Sequence, residues 1–313
     1  RPKIALDKPG NIYISWTRPL SKPYTGDIRF SRSRDGGKHF SDPITINDNR
    51  DVITHRFESM AVTDTGRVYL AWLDKRDRMK AEQQGESYPG AALYYTYMDT
   101  YADTYADTYA NAQTENGDTE FQPNIKIADN TCECCRLGLG LDRNSLPVIL
   151  WRNIYDKNIR DHSMVRFKSV TQPEPPIRVS HDQWQINACP HHGPALSINA
   201  DNVVHATWFN DVVADETAVL ERINSNTLNN HSFKKHALFY AHSMDDGDTF
   251  STPLGFGNHH RAASHPYVLA LGHEVFLAWK EFDGEATHIQ HLRSEDGGVT
   301  WGPAISIAVT VGQ

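Results

Sequence analysis

Cysteine is scarce in this chain, four residues in 313. That excludes a small disulfide-stapled scaffold, which needs a far higher cysteine density. Long apolar runs are missing too. No stretch reaches the about 18 residues that a membrane-spanning helix needs. Positive charge is in deficit: Lys and Arg number 31 against 39 Asp and Glu, a net charge of −8. Without a basic footprint a nucleic-acid partner is not expected. Sustained helical periodicity is absent, which argues against a helix bundle. No secretory-leader pattern is read at the start of this sequence. The chain starts abruptly at Arg1, directly on a strand, and reads as a processed or trimmed N-terminus.

What is present is repetition. The octet Ser-x-Asp-x-Gly-x-x-aromatic occurs as Ser33–Phe40, Ser243–Phe250 and Ser294–Trp301. Its Ser and Asp side chains are suited to bonding backbone N–H groups, its Gly to a positive φ, and its aromatic to anchoring the turn on a sheet. A second pattern runs in step: a turn residue, a short apolar strand, then Trp. It ends at Trp16, Trp72, Trp151, Trp208 and Trp279. A further apolar strand precedes each, at 4–6, 60–62, 137–139, 195–197 and 267–269. Each unit is thus four short strands, a to d. Such units, stacked radially in one domain over 1–313, make an all-β propeller of four-stranded antiparallel blades.

The octet resembles the Asp box, or bacterial neuraminidase (BNR) repeat, of the sialidase superfamily, and the similarity spans nearly the whole chain. The resemblance implies a sialidase-like propeller of six blades and an exported protein, periplasmic or secreted. It implies little about activity, because one fold hosts many functions. Five units are read, at about 1–48, 54–128, 131–180, 188–256 and 262–310. Six-bladed architecture is expected, with the remainder supplied by sequence that matches poorly or lies elsewhere.

Strand parity names the end that carries chemistry. If strand a runs downward from the top face, the octets lie at the bottom. The residues just before each strand a then converge at the top of the axis. They are Arg1; His55, Arg56 and Glu58; Cys132, Cys134, Cys135 and Arg136; Cys189, His191 and His192; and His259, His260, Arg261 and His265. All four cysteines fall in this set. Thiolates with imidazoles suit copper(I) or zinc, and three cysteines within four residues favour copper. The candidate ligands are Cys132, Cys134, Cys135, Cys189, His191, His192 and His265. The alternative is disulfides, Cys132 or Cys134 pairing with Cys189; a vicinal Cys134–Cys135 bridge is strained.

The sialidase resemblance implies three arginines for a sugar carboxylate, a Tyr–Glu nucleophile pair and an Asp acid/base. Arg1-Pro2 stands where the family's Arg-Ile-Pro begins, without the Ile. Arg56 and Arg136 lead the next two units. Cys189-Pro-His-His occupies the corresponding place in unit four, and Arg261 is displaced in unit five. Glu58 and Glu281 are the acid/base candidates. Three readings therefore stand: a metal-binding propeller, an exo-glycosidase acting on sialic acid or a related acidic sugar, and a non-catalytic interaction subunit.

Two segments interrupt the repeat. Asp-Thr-Tyr-Ala recurs at 99, 103 and 107, so a helix there would align Tyr97, Tyr101, Tyr105 and Tyr109 as a stripe for a protein partner. The alternative is a duplicated, solvated loop. A long insertion runs from Asp211 to His236.

Overall fold

The computed structural model describes residues 2–99, 121–210 and 237–311. Five four-stranded sheets follow one another along the chain. The first is β1 (Lys3–Leu6), β2 (Ile12–Pro19), β3 (Gly26–Ser33) and β4 (Ile44–Thr45). The second is β5 (His55–Val62), β6 (Val68–Asp74), β7 (Ala91–Met98) and β8 (Ile125–Thr131), with helix α1 (Arg76–Gln83) between β6 and β7. The third comprises β9 (Gly138–Leu141), β10 (Pro147–Arg152) and β11 (His162–Val165). A small hairpin, β12 (Phe167–Ser169) and β13 (Gln172–Pro173), then intervenes before its last strand, β14 (Ile177–Arg178). The fourth is β15 (Ala195–Ile198), β16 (Val204–Phe209), β17 (Leu238–Ser243) and β18 (Leu254–Phe256). The fifth is β19 (Ser264–Leu271), β20 (Glu274–Phe282), β21 (Ala286–Ser294) and β22 (Ile305–Val311).

Every strand pair in these sheets is antiparallel, and sequence order is spatial order within each sheet. This is the expected β-propeller architecture. The hairpin β12–β13 is an addition that the repeat pattern did not signal.

The five Trp-bearing strands are the second strands of their sheets. Trp72, Trp151, Trp208 and Trp279 are buried between sheets. Each removes on the order of 200 Å² from water, worth about 5 kcal/mol by area. Trp208 donates its indole N–H to Asp182 Oδ2 (2.7 Å), 26 residues earlier, whereas the other three are satisfied locally. Trp72 donates to Asp74 (3.0 Å), Trp151 to Asn153 (3.1 Å) and Trp279 to Glu281 (2.8 Å), each two residues on.

The three octets occupy the β3–β4, β17–β18 and β21–β22 turns, always between third and fourth strands. Their wiring is the same in each. Ser33, Ser243 and Ser294 donate through Oγ to the Asp two residues on, at 2.9, 2.7 and 2.8 Å. The same Oγ accepts the N–H of Gly37, Gly247 or Gly298 at 2.8–2.9 Å. Those glycines have φ of +88°, +96° and +91°, the left-handed region that a side chain disfavours.

Of the proposed tyrosine stripe, Tyr97 lies in β7, buried, with its ring 6.2 Å from that of Tyr95. Tyr101, Tyr105 and Tyr109 lie outside the described residues, as does the 211–236 insertion.

Candidate functional site

The first strands of all five sheets converge on one cavity of ≈ 520 Å³. Lys3 and Ile4, Ser59 and Met60, Gly138 and Leu139, Ala195 and Leu196, and His265 to Tyr267 all line it. That common lining marks the propeller axis. Arg136 and His191 also face this cavity.

Beside it lies a second cavity of ≈ 560 Å³, whose lining includes Lys3, Lys22, Arg56, Arg136 and Glu58. Two β-bulges shape this end of the axis. In β5, Phe57 and Glu58 fall between the pairs Arg56–Leu73 and Ser59–Ala71. In β19, His265 and Pro266 fall between Ser264–Lys280 and Tyr267–Ala278. Phe57 and His265 have φ of +62° and +55°. Bulges and left-handed non-glycine residues re-aim side chains and concentrate at functional sites. The bulge carries Glu58 to where Thr17 Oγ1 donates to its Oε2 at 2.6 Å.

Between β8 and β9 the turn Cys132–Cys135 folds its thiols inward. The Cys132 Sγ lies 3.7 Å from that of Cys134 and 3.4 Å from that of Cys135. All three are buried. Backbone bonds fix the turn: Cys132 N–H donates to the Arg152 carbonyl (2.9 Å), and Cys135 N–H to the Cys132 carbonyl (3.3 Å). Glu133, between the thiols in sequence, is tied to Lys75 and Arg78 beside α1. Arg160 donates to Cys132 Sγ at 3.3 Å.

The thiols from Cys134 and Cys135 hold the Cys132 sulfur toward its thiolate form, with Arg152 and Arg160 acting in the same direction against burial. Donating to Cys132 keeps Cys134 and Cys135 protonated, so their pKa values are raised. The three sulfurs meet within 4.8 Å of one another, so they can share one ion.

The cluster stands next to the axis. Arg136 follows Cys135 directly and lines both cavities. Its backbone is pressed against Gly193. Arg152, itself buried, donates to the His192 carbonyl at 3.1 Å. The His192 ring packs edge-on to His265, centroids 4.6 Å apart. Burial first, then the charges of His265, Arg152 and Lys280, hold His192 down to about 4. Its Nδ1 is buried with no hydrogen-bond partner among the described residues.

The other expected ligands are not in the thiol group. Cys189 is exposed and unpaired, and no disulfide joins it to Cys132 or Cys134. His191 faces the axial cavity.

Several pocket candidates serve the scaffold. His55 is fully buried; its ring contacts the Gly26 carbonyl at 2.9 Å and Asn49 at 3.2 Å. Glu281 is buried and accepts from Trp279 Nε1 and the Asn258 N–H, both at 2.8 Å. His260 and Arg261 are exposed in the short turn before β19. His259 shares that turn, and Arg1 lies outside the described residues.

The fold has solved counterparts. A Hadza microbial sialidase, Hz136, superposes with a TM-score of 0.55 at 15% identity, covering 99% of this chain and 58% of that one. The chain therefore spans little more than half the length of that sialidase. A protein of unknown function from Dyadobacter fermentans gives 0.55 at 12% identity, covering 99% and 94%. A Penicillium chrysogenum α-L-arabinanase complexed with arabinobiose gives 0.52 at 10%, covering 98% and 80%. At these identities the likeness shows a sialidase-like β-propeller fold and goes no further. No family model and no curated protein matches the sequence.

Proposed function

We propose that this propeller binds a soft transition-metal ion through Cys132, Cys134 and Cys135, copper(I) in preference to zinc, and holds it beside the axial pocket. The observation that carries this is the convergence of three buried sulfurs in one turn. Three thiolates with no histidine among them make a soft, sulfur-only donor set, which favours copper(I). Structural zinc sites take four protein ligands, and Cys189 is not part of the cluster. The Arg152 and Arg160 guanidiniums favour the charge that such a complex carries. Residence outside the cytoplasm, periplasmic or secreted, belongs to the same proposal. The test is an anaerobic titration of reduced protein with copper(I) against a chromogenic chelator. One equivalent taken up by the parent and by C189S, and none by C132S/C134S/C135S, is the expected result. Equal uptake by the triple variant defeats the reading.

A second reading is favoured by the cavity that Lys3, Lys22, Arg56 and Arg136 line together with Glu58. Such a basic recess in a chain of net charge −8 suits an acidic sugar. The sialidase and arabinanase among the structural neighbours support a carbohydrate ligand. Strong sialidase turnover is not expected, because Cys189-Pro-His-His stands in place of one arginine. A fluorogenic sialoside assay tests this. Steady turnover abolished by R136A would make glycosidase the primary function.

A further inference from the structure

The thiol turn has the geometry of a dithiol pair as well as of a donor set. The Cys135 N–H closes the turn onto the Cys132 carbonyl at 3.3 Å. A turn of this kind keeps its end Cα atoms within about 7 Å, close to the span of a disulfide. The side chains follow the backbone, and the Cys132 and Cys135 sulfurs stand 3.4 Å apart. Closing them to a bond of about 2.05 Å is a side-chain adjustment.

The other pairings fit less well. The Cys134 Sγ is further from that of Cys132, at 3.7 Å, with only one residue between them in the chain. Cys134 and Cys135 are adjacent, and a vicinal bridge is strained. Cys189 is exposed and outside the sulfur group.

Arg160 marks Cys132 as the sulfur that reacts first. It donates to the Cys132 Sγ at 3.3 Å, and a cation beside a sulfur favours its nucleophilic form. Cys132 and Cys135 are each only 1% exposed. Access that narrow favours an oxidant of a few atoms over a bulky disulfide.

We propose that Cys132 and Cys135 are a site of oxidative modification. A small hydroperoxide converts them to an intramolecular disulfide and leaves Cys134 a free thiol. With hydrogen peroxide, the Cys132 sulfur attacks one oxygen and the O–O bond breaks. A sulfenic acid forms on Cys132 and the first water leaves. The Cys135 sulfur then attacks the Cys132 Sγ, the S–O bond breaks, and the second water leaves as the S–S bond forms. Two electrons pass from the sulfurs to the peroxide, and both thiol protons leave in the waters. A sulfur held in the disulfide no longer ligates as a thiolate, so oxidation discharges the metal ion. That last coupling rests on the copper(I) reading; the disulfide itself does not.

Reduced, metal-free protein treated with one equivalent of hydrogen peroxide tests this, by thiol counting after denaturation and by non-reduced intact mass. The parent should fall from four free thiols to two, as a monomer with no oxygen gained. In C134S/C189S, where Cys132 and Cys135 are the sole thiols, both should be lost in the same way. Unchanged thiols, added oxygen or a disulfide-linked dimer in the parent overturns the proposal. So does retention of both thiols in a folded C134S/C189S. Copper(I) titration of the oxidised parent separates the two claims, and no uptake is expected. A disulfide with undiminished uptake removes the coupling and the metal reading together. Copper(I) bound by reduced protein that forms no disulfide defeats this inference and leaves the metal reading standing.

Discussion

The Sγ atoms of Cys132 and Cys135 lie 3.4 Å apart, and the Cys135 N–H donates to the Cys132 carbonyl across the same turn. Backbone and sulfurs are thus arranged together. The turn brings residues i and i+3 to one side, and Cys134 joins them from within it. One sulfur is disposed to be a thiolate and two to remain thiols.

That protonation pattern has a consequence for metal uptake. Only thiolates ligate, so loading a three-thiolate site displaces the protons on Cys134 and Cys135. Copper(I) affinity should therefore rise with pH across the neutral range. Calorimetry in buffers of different ionisation enthalpy should report protons released as the ion binds. Release of none would mean that the thiols are not the ligands.

Gly193 couples the fourth unit to the thiol turn. A Cβ there would stand 2.2 Å from the Arg136 carbonyl oxygen and 2.6 Å from its nitrogen. Neither atom belongs to a flexible side chain, so the backbone must move. G193A should cost about 1–3 kcal/mol in urea denaturation, the range for overpacking. It should also weaken copper(I) binding, since Arg136 follows Cys135. Unchanged stability would show that the two segments are not in register.

His205 makes stability depend on pH. It is buried in β16, beside Tyr240 and His242, and its Nδ1 lies 2.8 Å from the Tyr240 hydroxyl. Burial, then the charge of His242, lowers its pKa from 6.5 to about 4. The folded value lies below the unfolded one, so the unfolded chain takes up a proton first as pH falls. The contribution is whole above pH 6.5 and is lost between 6.5 and about 4. It amounts to at most ~3 kcal/mol. His192 and His242 are shifted in the same direction. Chemical denaturation from pH 4 to pH 7 should show this loss, and H205Q should flatten the curve. A parallel curve for H205Q would remove His205 from the account.

Much of the fold was legible because the repeat states it twice. Apolar alternation ending in Trp16, Trp72, Trp151, Trp208 and Trp279 marks the second strands, and the octets mark the turns before the fourth. A further signal went unused: Asp74, Asn153 and Glu281 each follow their Trp by two residues and accept its indole N–H. The hairpin β12–β13 has no counterpart in the other units, so repetition gave no warning of it.

The candidate site was legible in position more than in detail. Phase points Arg136, His191 and His265 toward the axis, and all three line the axial cavity. It does not say which way a side chain turns. His55 and Glu281 occupy plausible positions, but Gly26 and Trp279 draw them into structural bonds. The bulges at Phe57 and His265, which aim Glu58 and shape the pocket, break the period-two pattern that strand reading relies on.

X-ray absorption at the copper edge of the loaded, reduced protein tests the central claim most directly. The three-thiolate account predicts a first shell of sulfur alone, with three scatterers, as the donor set Cys132, Cys134 and Cys135 requires. A first shell dominated by nitrogen or oxygen, retained in C132S/C134S/C135S, would contradict it.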